Sequence, residues 1–250
     1  MELIREITIP DEKELFIVGD IHGCFDLYTK GVKALGITDD DVVISLGDLT
    51  DRGKQNFRCV VEFTRKENRY AIRGNHEDMF IRGMLDGDAR YYHCWQMNGG
   101  HTVWDEVGEE GCTLLATMLE ELPVVLIVKH RGKTFGFVHG GVPSVYEFND
   151  ITDIANWHTG SARYVASKVE RTAEHLMWDR DMVECAKEGI QLPKVVGVDL
   201  VFHGHSYVKE PIINANRVYM DTGSVFNGNI TFAYFDKEEN LCFYSTLEED

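Results

Sequence analysis

Ten side chains of this 250-residue chain sit just past short apolar runs and carry carboxylate, amide, imidazole or guanidinium groups: Asp20, His22, Asp48, Asp51, Arg52, Arg73, Asn75, His76, His139 and His205. Asp, Asn and His gathered without cysteine make an oxygen and imidazole donor set, which suits manganese, iron or zinc and suits copper(I) or iron–sulfur clusters poorly. One carboxylate of such a set can bridge two ions. Taken singly, each motif has a plain structural explanation: in "GDIHG" the Asp can cap the next helix and the His can bond within its own turn. Coincidence is a poor account of the whole set. Gly-Asp at 19–20, Gly-Asp at 47–48 and Gly-Asn at 74–75 recur at intervals of 28 and 27 residues, and "HGG" at 139–141 and "GH" at 204–205 join them.

The elements that must carry these groups are written in the same stretches. "LFIVGDIHG", "DVVISLGDLTDRG" and "YAIRGNHE" each run apolar and then end in Gly-Asp or Gly-Asn, the pattern of buried strands. Between the first two, "DLYTKGVKALG" offers Asp26 as a cap, Leu27, Val32 and Leu35 for a buried face and Gly36 as a stop, and "KQNFRCVVEFTRKEN" repeats the plan before the third. Strand, helix, strand, helix, strand at close to the roughly 30 residues of a βαβ unit predicts a parallel sheet. In such sheets the ligand crevice lies at the carboxyl ends of the strands, where these polar clusters fall. Later, "PVVLIVKHRGKTFGFVHGG" predicts a hairpin turning at "HRGK", and "DLVFHGHS", "PIINANRVYMDTG" and "NITFAYFDKEENLCFYST" predict further strands of a second, largely antiparallel sheet. Helix-like stretches, "GCTLLATMLEEL" and "SARYVASKVERTAEHLM", place helical cap-like segments around 84–122 and 144–197 of a single domain spanning 1–250.

Composition narrows the partners. A chain that is 44% hydrophobic and 27% charged can bury a full core. Its net charge of −17 argues against a nucleic-acid duplex, which binds basic faces through counterion release. Six scattered cysteines with no C-x-x-C pair predict reduced thiols. "MELIREITIPDEKE" has acids where a signal peptide needs a basic flank, and "PVVLIV" is too short to span a bilayer, so the expectation is a cytoplasmic protein without a membrane partner.

Together "GDIHG", "GDLTDRG", "GNHE", "HGG" and "GH" resemble the phosphoprotein phosphatase family of calcineurin-like metallophosphoesterases, most of all the bacterial and phage lambda-type serine/threonine phosphatases. "WQMNGG", "MWDR" and "YMDTGSVFNGNI" are similar to the same subgroup, so the likeness spans nearly the whole chain. The resemblance implies a four-layered α/β/β/α sandwich of two mixed sheets with a dinuclear site at the sheet edge. It implies two divalent metal ions, manganese first, with iron or zinc as alternatives. Asp20, His22 and Asp48 would hold one ion, and Asp48, Asn75, His139 and His205 the other. Two such ions can share a hydroxide of lowered pKa as the nucleophile. Arg52, Arg73 and Arg180 would grip the phosphoryl oxygens, and His76, oriented by Asp51, would protonate the departing alkoxide.

Glu77 and Asp78 are expected to favour the start of a helix. His203 shares strand parity with His205, and only the "GH" likeness selects His205 as the ligand. His93, His101, His130, His158 and His175 and the four tryptophans match no ligand block and are assigned to core or surface. The implied activity is hydrolysis of phosphate monoesters, phosphoserine and phosphothreonine in proteins with phosphotyrosine as an extension. "HGGVP" departs from the Ala-Asp that follows this histidine in lambda-type enzymes, which keeps a diadenosine tetraphosphatase as the alternative and a non-catalytic scaffold as a second.

Overall fold

The computed structural model describes residues 2–142 and 173–247. Strands β2 (Leu15–Val18), β3 (Val42–Ser45) and β4 (Arg69–Ala71) pair in parallel, joined by helices α1 (Phe25–Ala34) and α2 (Asn56–Arg65). Successive residues of a strand face opposite sides, and here both sides are covered. Val43 packs with Phe16, Val18 and Ala71 against Tyr28, Cys59, Val60 and Phe63 of the helices. Val42 and Ile44 instead pack with Leu15 and Ile17 between the two sheets. Burial on both faces is why these strands read as unbroken apolar runs. Truncating Ile44, fully buried in that layer, would cost about 2–5 kcal/mol.

The second sheet has the order β1 (Ile4–Thr8), β5 (Val125–His130), β6 (Lys133–Val138), β7 (Leu200–His203), β9 (Arg217–Tyr219), β8 (Ile212–Asn214). Leu126 and Val128 face the intersheet core, while Val125 and Ile127 face Ala173, Leu176 and Met177 of the helical residues 173–178, here α6. Further on, α7 (Asp181–Lys187) packs Met182, Val183 and Ala186 with Tyr219. Helices, sheet, sheet, helices: the four layers are present.

The sheet is mixed, and this corrects the largely antiparallel expectation. Only the hairpins β5–β6 and β8–β9 pair antiparallel, whereas β1–β5, β6–β7 and β7–β9 are parallel. A long connection between β6 and β7 lets the chain re-enter in the same direction, as parallel pairing requires. The hairpin of β10 (Thr231–Phe235) and β11 (Leu241–Ser245) joins the other sheet, where β10 pairs with β2. A second correction concerns Asp26. It lies in the first turn of α1, where Cys24 is the cap residue and makes no side-chain capping bond, so the contribution of Asp26 is charge near a helix N-terminus.

Residues 84–122 form α4 (Ala89–Trp95), a wide turn at Gln96–Gly100 and α5 (His101–Leu119), which packs Cys112, Leu115, Ala116 and Leu119 into the core shared with α2 and α3 (Asn75–Met84). This segment is an outer layer of the sandwich. Of the other expected segment, 144–172 lies outside the described residues, together with Trp157, His158 and most of "SARYVASKVERTAEHLM". Among the described residues, no helix is long and apolar enough to cross a membrane.

Candidate metal centre and acid site

Five strands deliver the site from their carboxyl ends. Asp20 and His22 follow β2, Asp48 to Arg52 follow β3, Asn75 and His76 follow β4, His139 follows β6 and His205 follows β7. His22, Asp48, Asp51, Arg52 and His205 all take positive φ, from +47° to +75°. Non-glycine residues adopt this conformation rarely, and it persists where the surroundings over-determine it, commonly at functional sites. Glycines flank these side chains for a steric reason. A Cβ on Gly74 would lie 2.2 Å from Asp48 Oδ1, and one on Gly204 would lie 2.1 Å from Asp20 Oδ1.

Asp48 is the hub. Its Oδ2 lies 3.5 Å from His22 Nε2 and 3.9 Å from His76 Nε2, and its Oδ1 lies 3.3 Å from His139 Nε2. Two buried triads result, His22–Asp48–His76 and Asp48–His139–His205, each compact enough for its ligand atoms to reach one ion; the first takes in His76, the expected acid, and Asp20 stands in neither. Asn75 Oδ1 is 3.0 Å from His139 Nε2. Asp20 accepts the His205 peptide N–H at 3.0 Å, which aligns the β2 and β7 loops. Backbone carbonyls orient the rings: His22 Nδ1 donates to Thr50 O at 2.8 Å and His139 Nδ1 to Leu46 O at 2.6 Å, which turns both Nε2 atoms toward Asp48.

Burial and neighbouring charges shift these groups strongly. Burial opposes the charge on Asp48, but His139, His76 and His22 outweigh it and hold the carboxyl well below its usual range. Burial also opposes an imidazolium at His139, yet the charge and hydrogen bond of Asp48 lift it to about 10. His205 is pushed down to about 2 by burial and by the charges of His139 and Arg180. Asp20 is raised by burial and by the charges of Asp221 and Asp48. The residues fit divalent ions by their donor chemistry and by one further observation: His205 Nε2 is buried without a hydrogen-bond partner among the described residues, an arrangement that costs stability unless a ligand uses the lone pair.

On its other side, the His76 imidazole of the first triad meets Asp51 Oδ2 through Nδ1 at 2.6 Å. Burial lowers the His76 pKa, but the charges of Asp48 and Asp51 prevail and raise it. The Arg52 guanidinium donates to His22 Nε2 at 2.7 Å and His76 Nε2 at 2.8 Å, and Arg180 donates to His205 O and Ser206 Oγ at 3.3 and 3.2 Å. Two guanidinium groups therefore flank the pocket. Arg73 is not brought there. Its guanidinium donates to Glu120 O at 2.8 Å and faces Asp78 at 3.8 Å, drawn away by that carboxylate and carbonyl.

His203 stands apart from the triads. Its Nδ1 donates to Val138 O, its ring stacks on Tyr219, and its Nε2 has no partner among the described residues. Sequence reasoning missed three contributors. Glu77 does more than favour its helix, because its carboxylate binds the peptide N–H groups of Asp48, Leu49 and Gly74. Asp221 adds a buried carboxyl beside Asp20. Trp178, partly exposed, sets its ring edge-on to His205 at 6.0 Å. No spacing in the sequence marks any of the three.

The calcineurin-like phosphoesterase family model matches residues 14–209. The chain is 29% identical to serine/threonine-protein phosphatase 2 of Salmonella typhimurium over 93% of this chain and 98% of that one. It is 27% identical to an asymmetrical bis(5'-nucleosyl)-tetraphosphatase of Anoxybacillus flavithermus, covering 92% of this chain and 94% of that one. Among solved structures, a protein serine/threonine phosphatase from Saccharomyces cerevisiae superposes with a TM-score of 0.62 at 13% identity, covering 98% of this chain and 82% of that one, which shows the shared fold. The chain belongs to the calcineurin-like phosphoesterase family, whose members are hydrolases with a dinuclear divalent metal centre.

Proposed function

We propose that this enzyme hydrolyses phosphate monoesters, with phosphoserine and phosphothreonine in proteins as its substrates and phosphotyrosine as an extension. The observation that carries the reading is the Asp51–His76 pair, whose imidazole also stands in the triad with His22 and Asp48, with Arg52 bonded to His76 and Arg180 bonded to the His205 backbone of the other triad. Asp20, His22 and Asp48 would hold one ion and Asp48, Asn75, His139 and His205 the other. Bound there, two divalent ions, manganese first and iron or zinc as alternatives, supply Lewis acidity and an activated water.

The chain's own groups do the rest. Arg52 and Arg180 take the phosphoryl oxygens from two sides, since a guanidinium fork matches their geometry and charge. Arg73 serves as a brace between Asp78 and the Glu120 carbonyl. Asp51 holds the Nδ1 proton of His76; once a phosphoryl group draws Arg52 off Nε2, that nitrogen would carry the proton for the departing serine or threonine oxygen. Because His76 acts only on the leaving group, His76→Asn should lower kcat on a phosphoserine peptide by about 10²–10⁴-fold. The same variant should spare p-nitrophenyl phosphate, whose phenolate departs unprotonated. Equal losses on the two substrates at matched metal content would refute the acid role. The tetraphosphatase relative and "HGGVP" support a second reading, cleavage of diadenosine tetraphosphate.

A further inference from the structure

Trp95 ends α4 with its ring fully buried and stacked on Phe80 at 4.4 Å and 10°. An indole N–H is a donor only and needs an acceptor when buried. Here it donates to Asp51 Oδ1 at 2.8 Å, while the other oxygen of the same carboxylate holds His76 Nδ1 at 2.6 Å. Asp51 itself is fully buried, stands at φ +75°, and has its peptide N–H tied to Asn56 Oδ1 at 2.8 Å. The backbone is thus pinned, and the remaining freedom is rotation about the two side-chain bonds. One directional partner on each oxygen removes that freedom.

The turn that follows Trp95 also grips the next residue. Gly99 O accepts the Arg52 peptide N–H at 3.2 Å, and Asn98 O accepts Arg52 Nε at 3.3 Å. A residue that only filled the core would need the stack on Phe80, and a phenylalanine would supply that without a donor to satisfy. The N–H aimed at Asp51 is the additional feature.

We infer that Trp95 is a positioning residue for leaving-group protonation: its indole N–H fixes the rotation of the Asp51 carboxylate and through it the aim of the His76 imidazole. The inference rests on the reading of His76 as the general acid. It requires that loss of the N–H, with the ring kept, harm substrates in proportion to their need for a proton.

Two replacements at position 95 isolate the N–H. Trp95→Phe keeps an aromatic ring, and site-specific benzothienylalanine keeps the full indole shape with sulfur in place of N–H. kcat and KM are measured with manganese at matched metal content on a phosphoserine peptide and on p-nitrophenyl phosphate, beside Asp51→Asn. The expected loss in kcat is about tenfold greater on the phosphoserine peptide, a fraction of the roughly 10²–10⁴-fold of a positioned acid, with KM little changed. A second readout uses metal-free protein labelled with ¹⁵N-tryptophan. The Trp95 indole proton, bonded to a carboxylate, should move upfield in Asp51→Asn. Equal losses on both substrates in the benzothienylalanine protein, while Asp51→Asn still discriminates, would overturn the inference and leave His76 as the acid. No discrimination by Asp51→Asn would overturn both. An unmoved indole resonance would overturn the inference by itself.

Discussion

Replacing Glu77 by glutamine changes one atom and should unsettle the centre of the site. Glu77 is fully buried, and its Oε2 accepts the peptide N–H groups of Asp48 at 2.8 Å and Gly74 at 2.9 Å while Oε1 accepts that of Leu49 at 2.8 Å. A glutamine has a single accepting oxygen. Placed at the Oε2 position it keeps two bonds and turns its NH₂ toward the Leu49 N–H. The loss is one charge-assisted hydrogen bond, about 1.5–3 kcal/mol, plus about 1–3 kcal/mol for buried donors without acceptors. Burying a neutral amide costs less than burying a carboxylate and returns part of that, so the net loss is about 3 kcal/mol. In a domain of this size it lowers Tm by about 6–12 °C. Thermal unfolding of metal-free wild type and Glu77→Gln, followed by circular dichroism, reads it directly. Asp48, at φ +49°, depends on this anchor, so the rise in Tm on adding manganese should also shrink in the variant. A fall in Tm of less than about 2 °C would refute the claim that Glu77 is the anchor.

Three other perturbations separate the proposed ligand roles. Asp48→Asn should cost roughly tenfold more kcat than Asp20→Asn, since it weakens the hold on both ions and the other touches one; near-wild-type turnover in Asp48→Asn at saturating manganese would end the bridging assignment. His205→Ala should lower bound metal by one ion per chain and His203→Ala should leave it unchanged, as read by elemental analysis; the reverse result would exchange the two histidines. Gly204→Ala forces a methyl to within 2.1 Å of Asp20 Oδ1, so the carboxylate should swing aside at a cost of about 1–3 kcal/mol. Manganese titration should then show weakened binding in a protein that still unfolds cooperatively, and wild-type affinity would show that Asp20 is not a ligand.

What could be read in the sequence follows from what a linear pattern encodes. The parallel core was legible because β2, β3 and β4 are buried on both faces and each ends in a Gly-Asp or Gly-Asn turn. Strand pairing of the second sheet was not, because a hairpin and a long return can follow the same apolar run. "NITFAYF" reads as a strand in either case, and only the space beside β2 placed it in the first sheet. At the site, Asp20, His22, Asp48, Asn75, His139 and His205 announced themselves by residue type at strand ends. Side-chain direction did not: Arg73 precedes "GNHE", yet its guanidinium turns to Asp78 and Glu120. Glu77 and Trp95 were likewise invisible as supports, because a glutamate on a helix and a buried tryptophan each have ordinary uses. Their partners, Asp48 and Asp51, lie 29 and 44 residues away.

The central claim is that this site cleaves phosphate monoesters of protein side chains. It is tested most directly by measuring kcat/KM for phosphoserine and phosphothreonine peptides and for diadenosine tetraphosphate, side by side with one manganese-loaded preparation. Higher kcat/KM on the phosphopeptides, with inorganic phosphate as the product and loss of activity on chelation, is the predicted result. A preference for diadenosine tetraphosphate, or no hydrolysis of any phosphopeptide by protein carrying both ions, would contradict it.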